Sequence, residues 1–426
     1  ILPSQVSLLY RLHSPRTLEL GWELVSLFPS LKWESSFGQR WRATGRQGEA
    51  NPAMAKHRAF NADRFLDKFQ GHEDLLRGYV NIWNSGLQVD ADSLDVQGFK
   101  EFAVHGDGDR KDEFMEGLYR AYDLSNERGH EDLVASCLDL AYDPDPGGVL
   151  PVECLSLKVR TENEEAFNLA YDRCAMHQAE RFSVFQGEAG RGIADVRTAT
   201  EQLQAKLSSV FKGDKNSDRV LVRQYQEGAY TNFIVYHEKR TQAMLVFKGS
   251  RIKPKVSPTV LRPAQQDFVS YNSETGQVEI EARFEKEESA LRKSFAECCF
   301  GDPALFEKPE AAQKFTLGVI ACEDFALEVD DGDSAALVEL HFKLKQKHGP
   351  AFVIRSKNVL ETLDLNYLRK RLSGATIQKA VFKIGFPDDR RGKRVEVSGT
   401  NKISFKRATH AEDVFRYLSN WKILSA

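Results

Sequence analysis

Apolar positions along this chain change period near residue 219, from the three-to-four spacing of helices to the alternation of strands. Before that point the helical spacing recurs at Phe65 and Phe69, at Leu75, Leu76, Tyr79 and Trp83, at Phe114, Leu118 and Tyr122, and at Leu133, Cys137, Leu138 and Tyr142. Asp143-Pro-Asp-Pro-Gly-Gly148 reads as a linker. A capping box at Thr161-Glu-Asn-Glu164 then predicts a helix carrying Phe167, Tyr171, Cys174, Gln178 and Phe182. Leu203, Leu207, Val210 and Phe211 predict another. Strands are expected near 219–226, 230–237, 243–248, 267–272 and 277–284, followed by a helix near 286–297. Further strands are expected near 315–321, 336–345, 350–355, 377–386, 393–398 and 402–406. Thr409-His-Ala-Glu412 should cap a last helix, whose buried stripe is Val414, Leu418, Trp421 and Leu424. The expected class is α+β: an N-terminal helical region, then mixed, largely antiparallel sheet modules and a C-terminal helix.

Five segments follow from these patterns: an N-terminal extension at 1–53, an acidic helical domain at 54–146 and a second helical region at 149–215, then a β-rich domain at 216–300 and a basic α+β domain at 301–426. The extension has no Asp, holds Trp22, Trp33 and Trp41, and precedes the first methionine, Met54. Two readings stand: a native start at Met54, or a genuine extension. Gly71-His-Glu-Asp-Leu75 recurs as Gly129-His-Glu-Asp-Leu133, which predicts either two related helical hairpins or a coincidence of turn chemistry.

Charge sharpens the division. Residues 334–426 carry 19 Lys and Arg against 8 Asp and Glu, whereas 54–146 carry 20 acidic against 10 basic residues, and the whole chain nets only −3. A basic module on an acidic body points to a polyanion as partner. Alternation in the C-terminal strands turns Ala380, Phe382, Ile384 and Phe386, Val395 and Val397, and Ile403 and Phe405 inward. Lys379, Lys383, Arg394, Lys402 and Lys406 are thereby expected on one solvated face. Arg390, Arg391 and Lys393 cluster in the adjoining loop, and Arg369, Lys370 and Arg371 are near in sequence. These eleven are the candidate nucleic-acid contacts, set against an ordinary solvated face. Lys248 to Arg262, with Pro254 and Pro258, reads as an extended basic linker.

No other pattern names a chemistry. Gly187-Glu-Ala-Gly190-Arg-Gly192 lacks both the dinucleotide-binding spacing and the P-loop lysine. Asp90, Asp92 and Glu101 fail as a calcium loop because Asp95 stands where glycine is required. Asp107, Asp109 and Asp112 fail likewise, and Asp330-Asp-Gly-Asp333 reads as a turn. The histidines and the Cys298-Cys299 pair have no partner at ligand or nucleophile spacing, and His177 reads as a packed residue. Six irregularly spaced cysteines, no signal segment and no apolar run of membrane-spanning length predict a cytoplasmic protein with no membrane partner. The resulting expectation is a non-enzymatic, nucleic-acid-associated protein without cofactor or metal. Its basic C-terminal module would bind DNA or RNA, and its acidic helical half would recruit a protein partner. A prokaryotic mobile-element or antiviral defence system would suit such a protein. The alternatives are a metal-dependent nuclease with a non-local site, or a protein–protein scaffold without nucleic acid.

Overall fold

The computed structural model describes residues 60–425 except 84–86, 88–89, 91, 93, 107, 216, 249–254, 323, 345–350, 363–374 and 408. The segment 1–53 lies outside the described residues, as do Arg369, Lys370, Arg371 and Asp107. The fold is α+β, with helices first, then a ten-stranded antiparallel sheet and a separate two-stranded ribbon.

Seven helices open it: α1 (Ala62–Leu66), α2 (Glu73–Ile82), α3 (Val96–His105), α4 (Lys111–Leu124), α5 (Glu127–Asp139), α6 (Val152–Glu162) and α7 (Glu164–Gln178). Their apolar stripes converge on one core around Phe65, Phe69, Tyr79, Phe99, Phe114, Leu118, Leu133 and Phe167. Tyr79 stays in that core because its hydroxyl donates to the Phe114 carbonyl at 2.7 Å. Local signals here were partly misassigned. Asn163, and not Thr161, caps α7: its side chain accepts from the Ala166 amide, while the Thr161 hydroxyl donates to Leu157 inside α6. The repeated pentapeptide is not a structural repeat either. Gly71 turns the chain at φ +84° ahead of α2, whereas Gly129 lies within α5, where a Cβ would meet the Leu124 carbonyl oxygen at 2.1 Å.

The sheet contains β1 (Arg181–Gln186), β2 (Val220–Glu227), β3 (Tyr230–Glu238), β6 (Ala264–Asn272), β7 (Gln277–Glu281), β8 (Ser334–Leu344), β9 (Ala351–Arg355), β10 (Ala375–Phe386), β11 (Asp389–Ser398) and β12 (Lys402–Ser404). Their order is β2-β3-β6-β7-β1-β12-β11-β10-β8-β9. Strands expected in two separate modules therefore form one sheet, joined where β1 pairs antiparallel with both β7 and β12. Phe182, expected to extend a helix, lies in β1, and the strand expected at 315–321 is instead a 3-10 turn at Leu317–Ala321.

The two halves of the sheet are covered differently. Over β2-β3-β6-β7-β1, α8 (Val196–Lys215) and α9 (Glu285–Phe300) bury Leu203, Leu207, Phe211, Leu291 and Phe295 against Phe233, Val269, Tyr271 and Ile280. The opposite face meets α7, where Asp172 accepts hydrogen bonds from Tyr236 at 2.6 Å and Arg223 at 3.2 Å. Over β12-β11-β10-β8-β9, one face packs on α10 (Val359–Thr362) and α11 (Ala411–Asn420) through Val359, Phe382, Val395, Phe405, Val414, Leu418 and Trp421. Thr409 does not cap α11. His410 takes the N-cap position at φ 58° with no capping hydrogen bond, and the Thr409 hydroxyl accepts from Lys393. Among the described residues no helix packs on the other face of this half, although Val381, opposite Glu339 and Glu396 on it, is fully buried.

Candidate nucleic-acid interface

The solvent face is built by strand register. Lys383 pairs with Arg394 and with Ala336, Lys379 with His341 and Ser398, and Ser398 with Lys402. Residues directly opposite share a face. Lys379, Lys383, Arg394 and Lys402 thus stand on one side, away from the buried Ala380, Phe382, Ile384, Val395 and Val397. Alternation carries the exposed Lys406 to the same side. The register brings three more cations there: Lys343, Arg355 on β9 opposite Glu339, and Arg181 on β1 opposite Ser404. The alternation of the strands expected near 336–345 and 350–355 could have found Lys343 and Arg355, but Arg181 sat in a stretch read as helical.

The face is not an array of free lysines. Glu339, only 7% exposed, sits at its centre. It is fixed by Arg355 Nε at 3.0 Å, Arg394 Nη2 at 3.1 Å and His341 Nε2 at 2.5 Å. Burial opposes its ionisation, but hydrogen bonds from His341, Arg355 and Arg394 override that and hold it at about 2. Lys379 joins Glu396 at 2.6 Å and Glu339 at 3.7 Å. The centre is therefore a cross-linked ion network. Lys383, Lys402 and Lys406 carry no ion pair among the described residues and are exposed. Arg390 and Arg391, expected in a loop, lie exposed at the start of β11, just before Gly392 at φ +65°. Lys393 departs from the expected loop cluster. It lies within β11, opposite the inward Ile384, and is held by Asp389 at 3.5 Å and by Thr409.

The basic stretch read as a linker is a second departure. It contributes to β4 (Gln242–Lys248) and β5 (Lys255–Leu261), an antiparallel ribbon inserted in sequence between the paired strands β3 and β6. Residues 239–262 hold seven Lys and Arg and no Asp or Glu. Met244, Leu245, Val256 and Val260 are exposed, so the ribbon turns apolar side chains to the outside. Pro258 is accommodated because this ribbon has free edges.

The remaining candidate sites are structural. The Asp95 carboxylate caps α3 by accepting from Gly98, Asp330 pairs with Arg416, and Gly190 turns at φ +74° into a helix capped by Asp195. His177 packs between Asp132 and Glu227. Burial disfavours its charge, but hydrogen bonds to those two acids prevail and raise its pKa. All six cysteines are free, and no helix among the described residues is long and apolar enough to cross a membrane. An open cleft of about 1280 Å³ between α7 and α8 is lined by Asp139, Glu164, Glu165, Asp172 and Glu201, with Arg197 and Arg223 but no lysine. No protein-family model and no curated protein matches this chain.

Proposed function

We propose that the protein binds nucleic acid along the outer face of β12-β11-β10-β8-β9, with the β4–β5 ribbon as a second basic contact. The observation that carries this reading is the asymmetric cover of the sheet. Among the described residues, one half is roofed on both sides, whereas the other leaves seven cations (Lys343, Arg355, Lys379, Lys383, Arg394, Lys402, Lys406) beside two carboxylates, Glu339 and Glu396, with no helix packed over them, and Arg181 of β1 stands at its margin. Spread cations on a broad sheet suit backbone phosphates. The acidic helices dock through α7 on the far side of the other half, so they leave this face to an external partner and offer their own acidic surface to a protein. A role in prokaryotic mobile-element or antiviral defence is compatible with such a module and rests on architecture alone.

Charge reversal at the unpaired lysines is the direct test. K383E, K402E and K406E together should leave the circular-dichroism spectrum unchanged and abolish retention of DNA or RNA at ~50 mM salt. Each single neutralisation should lower the log–log salt slope by about one. Lys379 is a poorer choice because a carboxylate there would face Glu339 and Glu396. Wild-type protein showing no salt-sensitive binding to either nucleic acid would end this reading.

A further inference from the structure

Where the ribbon leaves the sheet, β3 and β6 place an unusual set of side chains under α9. His237 is the penultimate residue of β3 and stands opposite Gln265, the second residue of β6. Asp267 lies two residues further along the same face. Glu287 enters from the first turn of α9. His237 Nε2 lies 2.9 Å from Asp267 Oδ2, and the Gln265 amide nitrogen donates to Asp267 at 2.7 Å and to Glu287 at 2.8 Å. One ligand atom each from His237, Asp267 and Glu287 falls within 4.8 Å of the other two, and all three residues are buried. The Phe211 ring lies 4.5 Å from the imidazole and walls the group on one side.

Gln265 supplies a second, independent observation. It is 6% exposed, its nitrogen is held between the two carboxylates, and its buried carbonyl oxygen Oε1 has no hydrogen-bond partner. A buried acceptor left unsatisfied is costly, as are ionised carboxylates gathered away from water. Turning the Gln265 amide over puts Oε1 where Nε2 stands, between the two carboxylates, and one imidazole nitrogen, two carboxylates and that amide oxygen then make a four-donor N/O set around a cation that relieves both costs.

We propose that His237, Asp267, Glu287 and the Gln265 amide oxygen hold a divalent transition-metal cation, Zn²⁺ by preference, at the root of the β4–β5 ribbon. The imidazole favours Zn²⁺ over Mg²⁺ or Ca²⁺ at an otherwise oxygen-rich site. Complete burial and four protein donors fit a closed structural site, which would tie β3, β6 and α9 together at the base of the ribbon. This inference does not rest on the nucleic-acid reading, and either can fail alone.

The test uses the full chain, dialysed against a chelator and titrated calorimetrically with ZnCl₂, with MnCl₂ and MgCl₂ as comparison titrants. Wild type should take up one Zn²⁺ per chain and gain thermal stability. H237Q and D267N should bind it ~100-fold more weakly or not at all. Absorption at the zinc edge of the wild-type complex should show one imidazole, oxygen neighbours and no sulfur, a readout that stands even if a variant misfolds. No uptake by wild type, undiminished uptake by both variants, or a sulfur shell drawn from the free cysteines would each overturn the site.

Discussion

Trp421 joins three pieces of the C-terminal half. Its ring lies 5.4 Å from Phe382 and 5.9 Å from Tyr417, and its indole N–H donates to the Glu328 carbonyl at 2.7 Å. Trp421→Ala should cost ~3–5 kcal/mol in urea unfolding, because the indole volume and a buried carbonyl's partner go together. A loss under about 1 kcal/mol would show that the pocket collapses freely. Arg407 shows the opposite chemistry in the same core. Its guanidinium lies 3.6 Å over the Phe182 ring and pairs with the buried Glu279. Arg407→Ala should cost ~3–5 kcal/mol by stranding that carboxylate, and Glu279→Gln in the same chain should recover part of the loss. Equal stability of the single and double variants would dismiss the pair.

At the level of elements, the outer face of β8–β12 is held by the Glu339 network, and that network has a pH signature. Glu339 titrates at about 2 in the fold against 4.5 for the free side chain. A depressed carboxylate stabilises the folded state above its unfolded pKa, so this contribution is complete above 4.5 and is lost as pH falls from there through 2. Acid titration followed by circular dichroism should therefore show a loss of stability across that window that is shallower in Glu339→Gln. Identical acid profiles for the two proteins would mean that the cations around Glu339 do not set its ionisation.

For the whole molecule, the ribbon and the body should separate energetically. Among the described side chains of residues 242–261, none belongs to any of the three buried clusters. Replacing 241–262 by a short turn should move the thermal midpoint by no more than a few degrees, a shift worth ~1 kcal/mol or less. The same deletion should lower the salt slope of nucleic-acid binding by up to about one per basic residue removed that contacts phosphate. A collapse in stability would make the ribbon part of the core.

Much of the architecture followed from periodicity alone. The helix-to-strand change near 219, the inward set Ala380, Phe382, Ile384 and Phe386, and the Val414–Leu418–Trp421 stripe follow from local alternation and helical spacing, which are properties of short segments. Charge segregation was equally legible. Cap positions were less so, because Thr161, Asn163, Thr409 and His410 compete within a residue or two and the packing of the neighbouring helix or strand decides. Pairing between distant strands was not legible at all. The joining of β1 to both β7 and β12 and the drawing of Arg355 and Arg394 onto Glu339 depend on partners many residues apart. So does the meeting of His237, Asp267 and Glu287 under α9. The sequence determined the inward side of the C-terminal strands; only tertiary structure decided which strands lie side by side, and hence which charges are free and which are spent on one another, because side-chain period is local and hydrogen-bonded pairing is not.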